Sequence, residues 1–130
     1  IRFVNRQQGS GTRLLLDSLL AAERVPPQRI HGYPSEEFTH AAVAAMVASG
    51  VADAAFAIEA AARQLGLDFV PLARERYFLV ARDDLARERR FTTLLGILRG
   101  RKFKSRVARL PGYDAARCGE AVSLTAALQS

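Results

Sequence analysis

Two glycines and two hydroxyls alternate in Gly9-Ser10-Gly11-Thr12, just before Arg13. This run lies between the apolar pair Phe3-Val4 and the helical pattern Leu14-Leu15-Leu16-Asp17-Ser18-Leu19-Leu20. The order reads as strand, glycine-rich turn and helix. The first N–H groups of such a helix have no intrahelical acceptor and point outward at its positive dipole end, where an anion can dock. Small residues let a ligand approach the backbone closely, and the Ser10 and Thr12 hydroxyls can cap the helix or donate to an oxyanion. A tight turn with a capping serine is the competing reading of the same residues.

Two phosphate loops are excluded by inspection. A Walker A loop needs Lys followed by Ser or Thr after its last glycine, and here Gly11 is followed by Thr12-Arg13. The dinucleotide fingerprint needs a third glycine where this chain has Leu14. The compatible ligand is therefore a small anion or an anionic group.

Other chemistry-bearing residues are sparse. His31 and His40 are isolated, with no cysteine or paired carboxylate at ligand spacing, so an ion pair or a capping role suits them better than a metal. His40 follows Glu36 by one turn of the helix expected there. Cys118 is the single cysteine; it forms no internal disulfide and has no evident base, which makes it an inert thiol. No metal, cofactor or catalytic residue is expected.

These residues are positioned by an α/β alternation. A strand over 2–5 is followed by a helix over 12–24, closed by Pro26-Pro27. Ser35 is expected to cap a second helix, with Glu36 and Glu37 in its first turn and its end at Ser49-Gly50. Ala54-Ala55-Phe56-Ala57-Ile58 reads as a buried strand and Glu59 to Leu65 as a helix ending at Gly66. Further strands are expected over 68–72 and 76–81, with Pro71 barring the first from a central ladder. Helices follow near 83–86, 92–99 and 102–110, and the tail over 120–128 is compatible with one more.

The chain has 130 residues, 49% of them hydrophobic, enough for one sizeable core. Its formal charge is +6, which favours an acidic partner. That charge is spread along the chain and thickens only at Arg87-Glu88-Arg89-Arg90 and Arg99-Gly100-Arg101-Lys102, with few aromatics interleaved, which suits a solvated basic face better than a nucleic-acid groove. No signal peptide and no membrane-spanning apolar run is visible, and a cytoplasmic location is expected. The chain opens at Ile1 directly on a strand, which is expected of a fragment or a processed piece.

The succession of motifs resembles the second half of a type II periplasmic-binding-protein fold. It is most similar to the PBP-like domain fused to molybdate-responsive helix-turn-helix regulators and to molybdopterin-biosynthesis proteins. The residues that carry the resemblance begin with the run Phe3 to Asp17 and Gly32-Tyr33 with Glu36-Glu37 and Thr39-His40. They continue through Val43-Ala44, Gly50-Val51-Ala52-Asp53-Ala54, Leu67 to Leu72, Glu75-Arg76-Tyr77 and Pro111-Gly112-Tyr113-Asp114.

The resemblance implies two α/β lobes with a ligand cleft between them. Residues 1–71 would form one lobe, and residues 72–130 the crossover strand and C-terminal helices of an incomplete partner lobe. An incomplete lobe leaves a sheet edge to be paired, so a homodimer through residues beyond Pro71 is expected. Carried over residue by residue, Ser10, Gly11 and Thr12 would cradle the anion with Arg13 close by. Tyr33 and Glu36 would match the loop and helix start facing the cleft, although a capping turn and a dipole-friendly carboxylate suit them better. Ile58 and Glu59, beyond the end of their strand, read as cleft liners and Asp53 as a turn residue.

The expected function is a ligand-binding or sensory domain for a small oxyanion such as molybdate, or for an anionic cofactor precursor. The parent would be a transcriptional regulator or a molybdopterin-biosynthesis protein, touching DNA only through a separate domain and no membrane. The competing classes are a phosphate-ester enzyme using Ser10 or Thr12, which lacks a visible base, and a nucleic-acid-binding module, which lacks a recognition motif.

Overall fold

Phe3-Val4-Asn5-Arg6 forms β1 (Phe3–Arg6), the middle strand of a three-stranded parallel sheet in the computed structural model, which describes residues 1–128. Its neighbours are β2 (Glu36–Glu37) and β3 (Ala54–Ala55), giving the order β2-β1-β3. Asn5 and Arg6 lie opposite Glu36 and Glu37, and Phe3 and Val4 lie opposite Ala54 and Ala55. Each strand leads into a helix: α1 (Gly11–Ala22), α2 (His40–Ala48) and α3 (Glu59–Gln64). Because the strands are parallel, all three helices start beyond the same, carboxyl edge of the sheet. Right-handed crossovers that leave β1 in one direction and return past it in the other put α1 and α2 on opposite faces.

Side-chain alternation along β1 divides the two faces chemically. Val4 packs with Val43 of α2 and with Ala52, flanked by Met46, Val47, Ala55 and Ala57, in a dry core. Asn5, 1% exposed, faces the other way and is satisfied locally: its Nδ2 donates to the Tyr33 carbonyl at 3.3 Å and its Oδ1 accepts from the Arg6 N–H at 3.0 Å. At the amino edge of the sheet Arg2 secures Asp53, with N–H to Oδ2 at 2.7 Å and Nη2 to Oδ1 at 2.5 Å. That contact holds the Asp53 carboxyl down at about 2.

The start of the second helix differs from expectation. Ser35 is not its cap and Glu36-Glu37 are not in its first turn. The Ser35 carbonyl instead accepts from the Asn5 N–H at 2.8 Å and the Glu37 carbonyl from the Gln7 N–H at 3.1 Å, which commits both glutamates to β2. Thr39 caps α2, its Oγ1 accepting from the Ala42 N–H at 3.0 Å. Glu36 and His40 are therefore not one helical turn apart.

The expected strand at 54–58 is reduced to Ala54–Ala55, and residues 67–82 form no strand. Strand propensity needs a neighbouring ladder to become a strand. Val70, Leu72, Phe78 and Val80 stay exposed, at 75%, 63%, 50% and 78%.

The described residues divide into two units, Ile1–Leu72 and the residues from Ala73 onward. The second unit holds α4 (Asp83–Ala86), α5 (Arg89–Arg99), α6 (Arg101–Val107) and α7 (Leu124–Leu128). Within it α5 packs on α6, Arg99 Nε donates to the Gly119 carbonyl at 2.8 Å, and Lys104 Nζ donates to the Ala116 carbonyl at 2.9 Å. No helix among the described residues is long and apolar enough to cross a membrane.

All three helices of the first unit end in the same pair of hydrogen bonds. After α1, the N–H groups of Arg24 and Val25 reach the carbonyls of Ala21 and Leu20. Gly50 and Val51 reach Val47 and Met46 after α2, and Gly66 and Leu67 reach Arg63 and Ala62 after α3. This closure needs a left-handed residue, which is glycine after α2 and α3 but Arg24, at φ 55°, after α1. Arg24→Gly is accordingly expected to stabilise the domain by about 0.5–1 kcal/mol, read as a higher urea midpoint with an unchanged slope.

Candidate functional site

Ser10 adopts an extended backbone, φ −71° and ψ 146°, and its Oγ accepts from the Arg13 N–H at 3.2 Å. The Ser10 carbonyl takes the Leu14 N–H at 3.0 Å. Among the described residues, the N–H groups of Gly11 and Thr12 have no protein acceptor. They are the donors that α1, at 12 residues, presents beyond the end of β1. Of the amides expected to cradle an anion, Gly11 and Thr12 are thus available and Arg13 is taken by the cap.

The Arg13 side chain turns away from that mouth into the fold. Its guanidinium, in a side chain 10% exposed, meets Glu36 Oε1 through Nη1 at 2.7 Å and Asp17 through Nε at 3.1 and 3.3 Å. Nε also donates to the Tyr33 hydroxyl at 3.2 Å and Nη1 to the Arg6 carbonyl at 3.4 Å. The guanidinium lies 4.3 Å from the centre of the Tyr33 ring, and the Tyr33 hydroxyl donates to Asp17 Oδ1. Burial works against the charge on Arg13, but Tyr33, Glu36 and Asp17 outweigh it and its pKa is raised. Burial, then the bond to Asp17, pushes the Tyr33 phenol up, with Arg13 opposing. Glu36 Oε2 accepts from the Gln8 N–H at 3.2 Å, so this carboxylate ties the glycine-rich turn to β2.

Arg6 is the opposite case. It is 8% exposed and, among the described residues, has no carboxylate within ion-pair distance. Its Nη2 donates to the Phe38 carbonyl at 2.9 Å and to Gln7 Oε1 at 3.3 Å, while Nε and Nη1 are buried without a partner. With its N and O exchanged the Gln7 amide instead donates to the carbonyls of Phe38 at 3.0 Å and Glu37 at 3.2 Å, and Arg6 Nη2 then keeps only the Phe38 carbonyl. Sharing a face with Val4, Arg6 lies at the head of α2, where His40 Nδ1 is also buried and unpartnered. Burial, and then the Arg6 charge, lower the His40 pKa.

The sequence-derived site residues therefore fall into three groups. Ser10, Gly11 and Thr12 form the mouth; Arg13, Tyr33 and Glu36 form a charged knot beneath it. Ile58 and Glu59 start α3 on the same sheet edge, where Glu59 Oε1 pairs with Arg63 Nε at 3.3 Å. Sequence reasoning passed over Arg6. Its signal was present: two residues after the buried Val4, in the strand before a glycine-rich turn, alternation places it on the buried face. Among the described residues no group of three or more metal-ligating side chains occurs.

In open parallel α/β sheets the crevice outside the carboxyl ends of the strands is where ligands gather, and the three helix N-termini of this sheet lie at that edge. The family model described as the PBP superfamily domain matches residues 1–99, and the chain belongs to that family. It is similar to the "Uncharacterized protein YvgK" of Bacillus subtilis (strain 168), 34% identical over 122 residues, covering 94% of this chain and 39% of that protein. It is also similar to the "Uncharacterized protein in ferredoxin 2Fe-2S gene 5'region" of Clostridium pasteurianum, 37% identical over 111 residues, covering 85% of this chain and 98% of that one. The chain thus spans about two fifths of the first relative and nearly all of the second. No solved structure matches it.

The knot has a measurable worth. Tyr33→Phe keeps the ring under Arg13 but removes the hydroxyl, and is expected to cost about 1 kcal/mol in urea unfolding at neutral pH. A raised phenol pKa stabilises the fold below the unfolded value, about 10, and that contribution is lost as pH rises through the folded value; the gap between wild type and Tyr33→Phe should therefore close in that alkaline range. Arg13→Lys removes both the fork and the stacking, and is expected to cost more, about 2 kcal/mol.

Proposed function

We propose that this domain binds a small oxyanion, or an anionic cofactor precursor, at the carboxyl edge of β1 and does not turn it over. The observation that carries this reading is the buried, uncompensated charge of Arg6. An ionised group taken out of water is costly unless it is paired, and every other ingredient of an anion site lies on the same edge. The exposed Gly11 and Thr12 amides supply fixed donors at the positive end of α1. The contrast with Arg13 supports it further: where this fold wants a purely structural arginine, it surrounds it with two carboxylates and a tyrosine.

Binding rather than turnover is favoured because Ser10 Oγ is engaged as a helix cap, with no histidine or carboxylate among the described residues hydrogen-bonded to it. We read the ligand class as molybdate-like and the parent as a two-lobed, type II binding protein within a regulator or a molybdopterin-biosynthesis protein. Membership of the PBP superfamily supports the ligand-binding half of that statement.

Gly11→Pro tests the cradle cleanly. Gly11 occupies the first helical position, where proline is favoured; Ser10 before it already has the extended backbone proline demands, and a Cβ at Gly11 meets nothing within 4 Å. The substitution deletes one N–H and leaves the helix intact. In calorimetric titrations of the protein with molybdate, sulfate and phosphate, affinity for the bound anion is expected to fall about tenfold or more, since a hydrogen bond to a charged group is worth about 1.5–3 kcal/mol. Unchanged affinity in a folded Gly11→Pro protein overturns the cradle.

A further inference from the structure

We infer that Arg6 and His40 form the floor of that anion site, Arg6 as a fixed cation and His40 as a group that takes up a proton when the anion binds. The inference rests on the ligand reading above and adds to it the ligand's charge: a dianion is preferred, and it is bound more tightly in mild acid.

The geometry begins with groups left unpaired. Arg6 Nε, Arg6 Nη1 and His40 Nδ1 are the buried side-chain nitrogen and oxygen atoms without a partner among the described residues; Arg6 Nη2 reaches the Phe38 carbonyl, two residues before His40, and the Arg6 charge acts on the His40 ring. In a native fold such atoms cluster only for a reason, because each costs the desolvation of a polar group. No hydrogen bond joins these atoms, and once the imidazole is protonated neither residue can satisfy the other, because both then offer only donors. An anion over the sheet edge answers both charges.

Three effects keep the imidazole neutral while no anion is present. The ring is partly buried, it faces Arg6, and it is the first residue of α2, where the helix dipole disfavours a cation. No carboxylate on the packed elements relieves this. Glu36 on β2 is held by Arg13 and the Gln8 N–H, Glu59 and Arg63 on α3 pair with each other, β3 has no charged residue, and Glu37, opposite Arg6 in register, makes no ion pair among the described residues. A bound anion offsets the Arg6 field and the dipole together, so the pKa of His40 rises on binding. The proton comes from solvent, to which the half-buried ring is open. By linkage, a group that gains a proton on binding makes affinity climb as pH falls toward and below the ordinary imidazole value of about 6.5.

The test is calorimetric titration of the protein with sulfate, a dianion whose own charge is constant from about pH 8 to pH 5.5, the range in which imidazoles titrate. Affinity of the wild type is expected to rise several-fold across this range, and that of His40→Gln to stay flat near the wild-type value at the alkaline end. Proton NMR of His40 reads the same event without a variant: its titration should move to higher pH on adding sulfate. Arg6→Met should lose sulfate binding throughout. If Arg6→Met does not fold, the His40 titration in wild type still decides. Sulfate bound with equal pH dependence by wild type and His40→Gln, or an unmoved His40 titration, overturns the inference and leaves the ligand reading standing. Failure of sulfate, phosphate and molybdate to bind at any pH overturns both.

Discussion

The Arg13 guanidinium is the contact on which the first unit depends. A side chain rooted one residue past the helix mouth gathers Asp17 from its own helix, Tyr33 from the following loop, Glu36 from β2 and a carbonyl from β1. A Lys could neither stack on the tyrosine nor fork between two carboxylates. Because Glu36 also takes the Gln8 N–H, the same network fixes the glycine-rich turn against β2 and so aims the Gly11 and Thr12 amides. The knot lies on the α1 side of the sheet, with Arg13 buried and its carboxylate partners partly open to solvent, and the dry cluster of Val4, Val43 and Ala52 on the α2 side. One face is held by directional polar contacts and the other by packing, and the glycine-rich turn lies where the two meet.

Strand, turn and first helix were legible in the sequence because their signals are local: an apolar pair, glycines, a capping serine and a leucine stripe within about twenty residues. Schellman closures after α2 and α3 were legible for the same reason, through Gly50 and Gly66. Ser35 and Thr39 show where locality fails. Both are good caps followed by helix-compatible residues, and the choice between them was made by Asn5, thirty residues earlier in the chain, whose N–H claims the Ser35 carbonyl. The apolar run through Val70 to Val80 failed for the converse reason, since strand propensity there meets no ladder.

The site was half legible. Ser10, Gly11, Thr12, Tyr33 and Glu36 were singled out, but the contrast between the two arginines was not visible. Arg13 looked like a neighbour of the anion because it follows the hydroxyls, yet its partners lie up to 23 positions away and consume it. Arg6 looked like one more surface cation in a basic chain. Only burial distinguishes an arginine that solvates a surface from one that leaves a charge inside a fold, and burial is set by tertiary packing rather than by residue type.

The alternation of Asn5 and Arg6 on a strand of four residues has a consequence for how the chain finds its native pairing. A slip of one position would exchange the faces of every side chain on β1. Arg6 would then arrive on the side already occupied by Arg13, while Asn5 would displace it among valines and alanines with no carbonyl to hold. So short a strand has little hydrophobic area with which to resist such a slip; like-charge repulsion and an orphaned amide supply the penalty instead. The two polar residues thus act as a check on alignment during folding, and the same arginine whose Nε and Nη1 stay unpartnered in the finished domain helps reject the misaligned one.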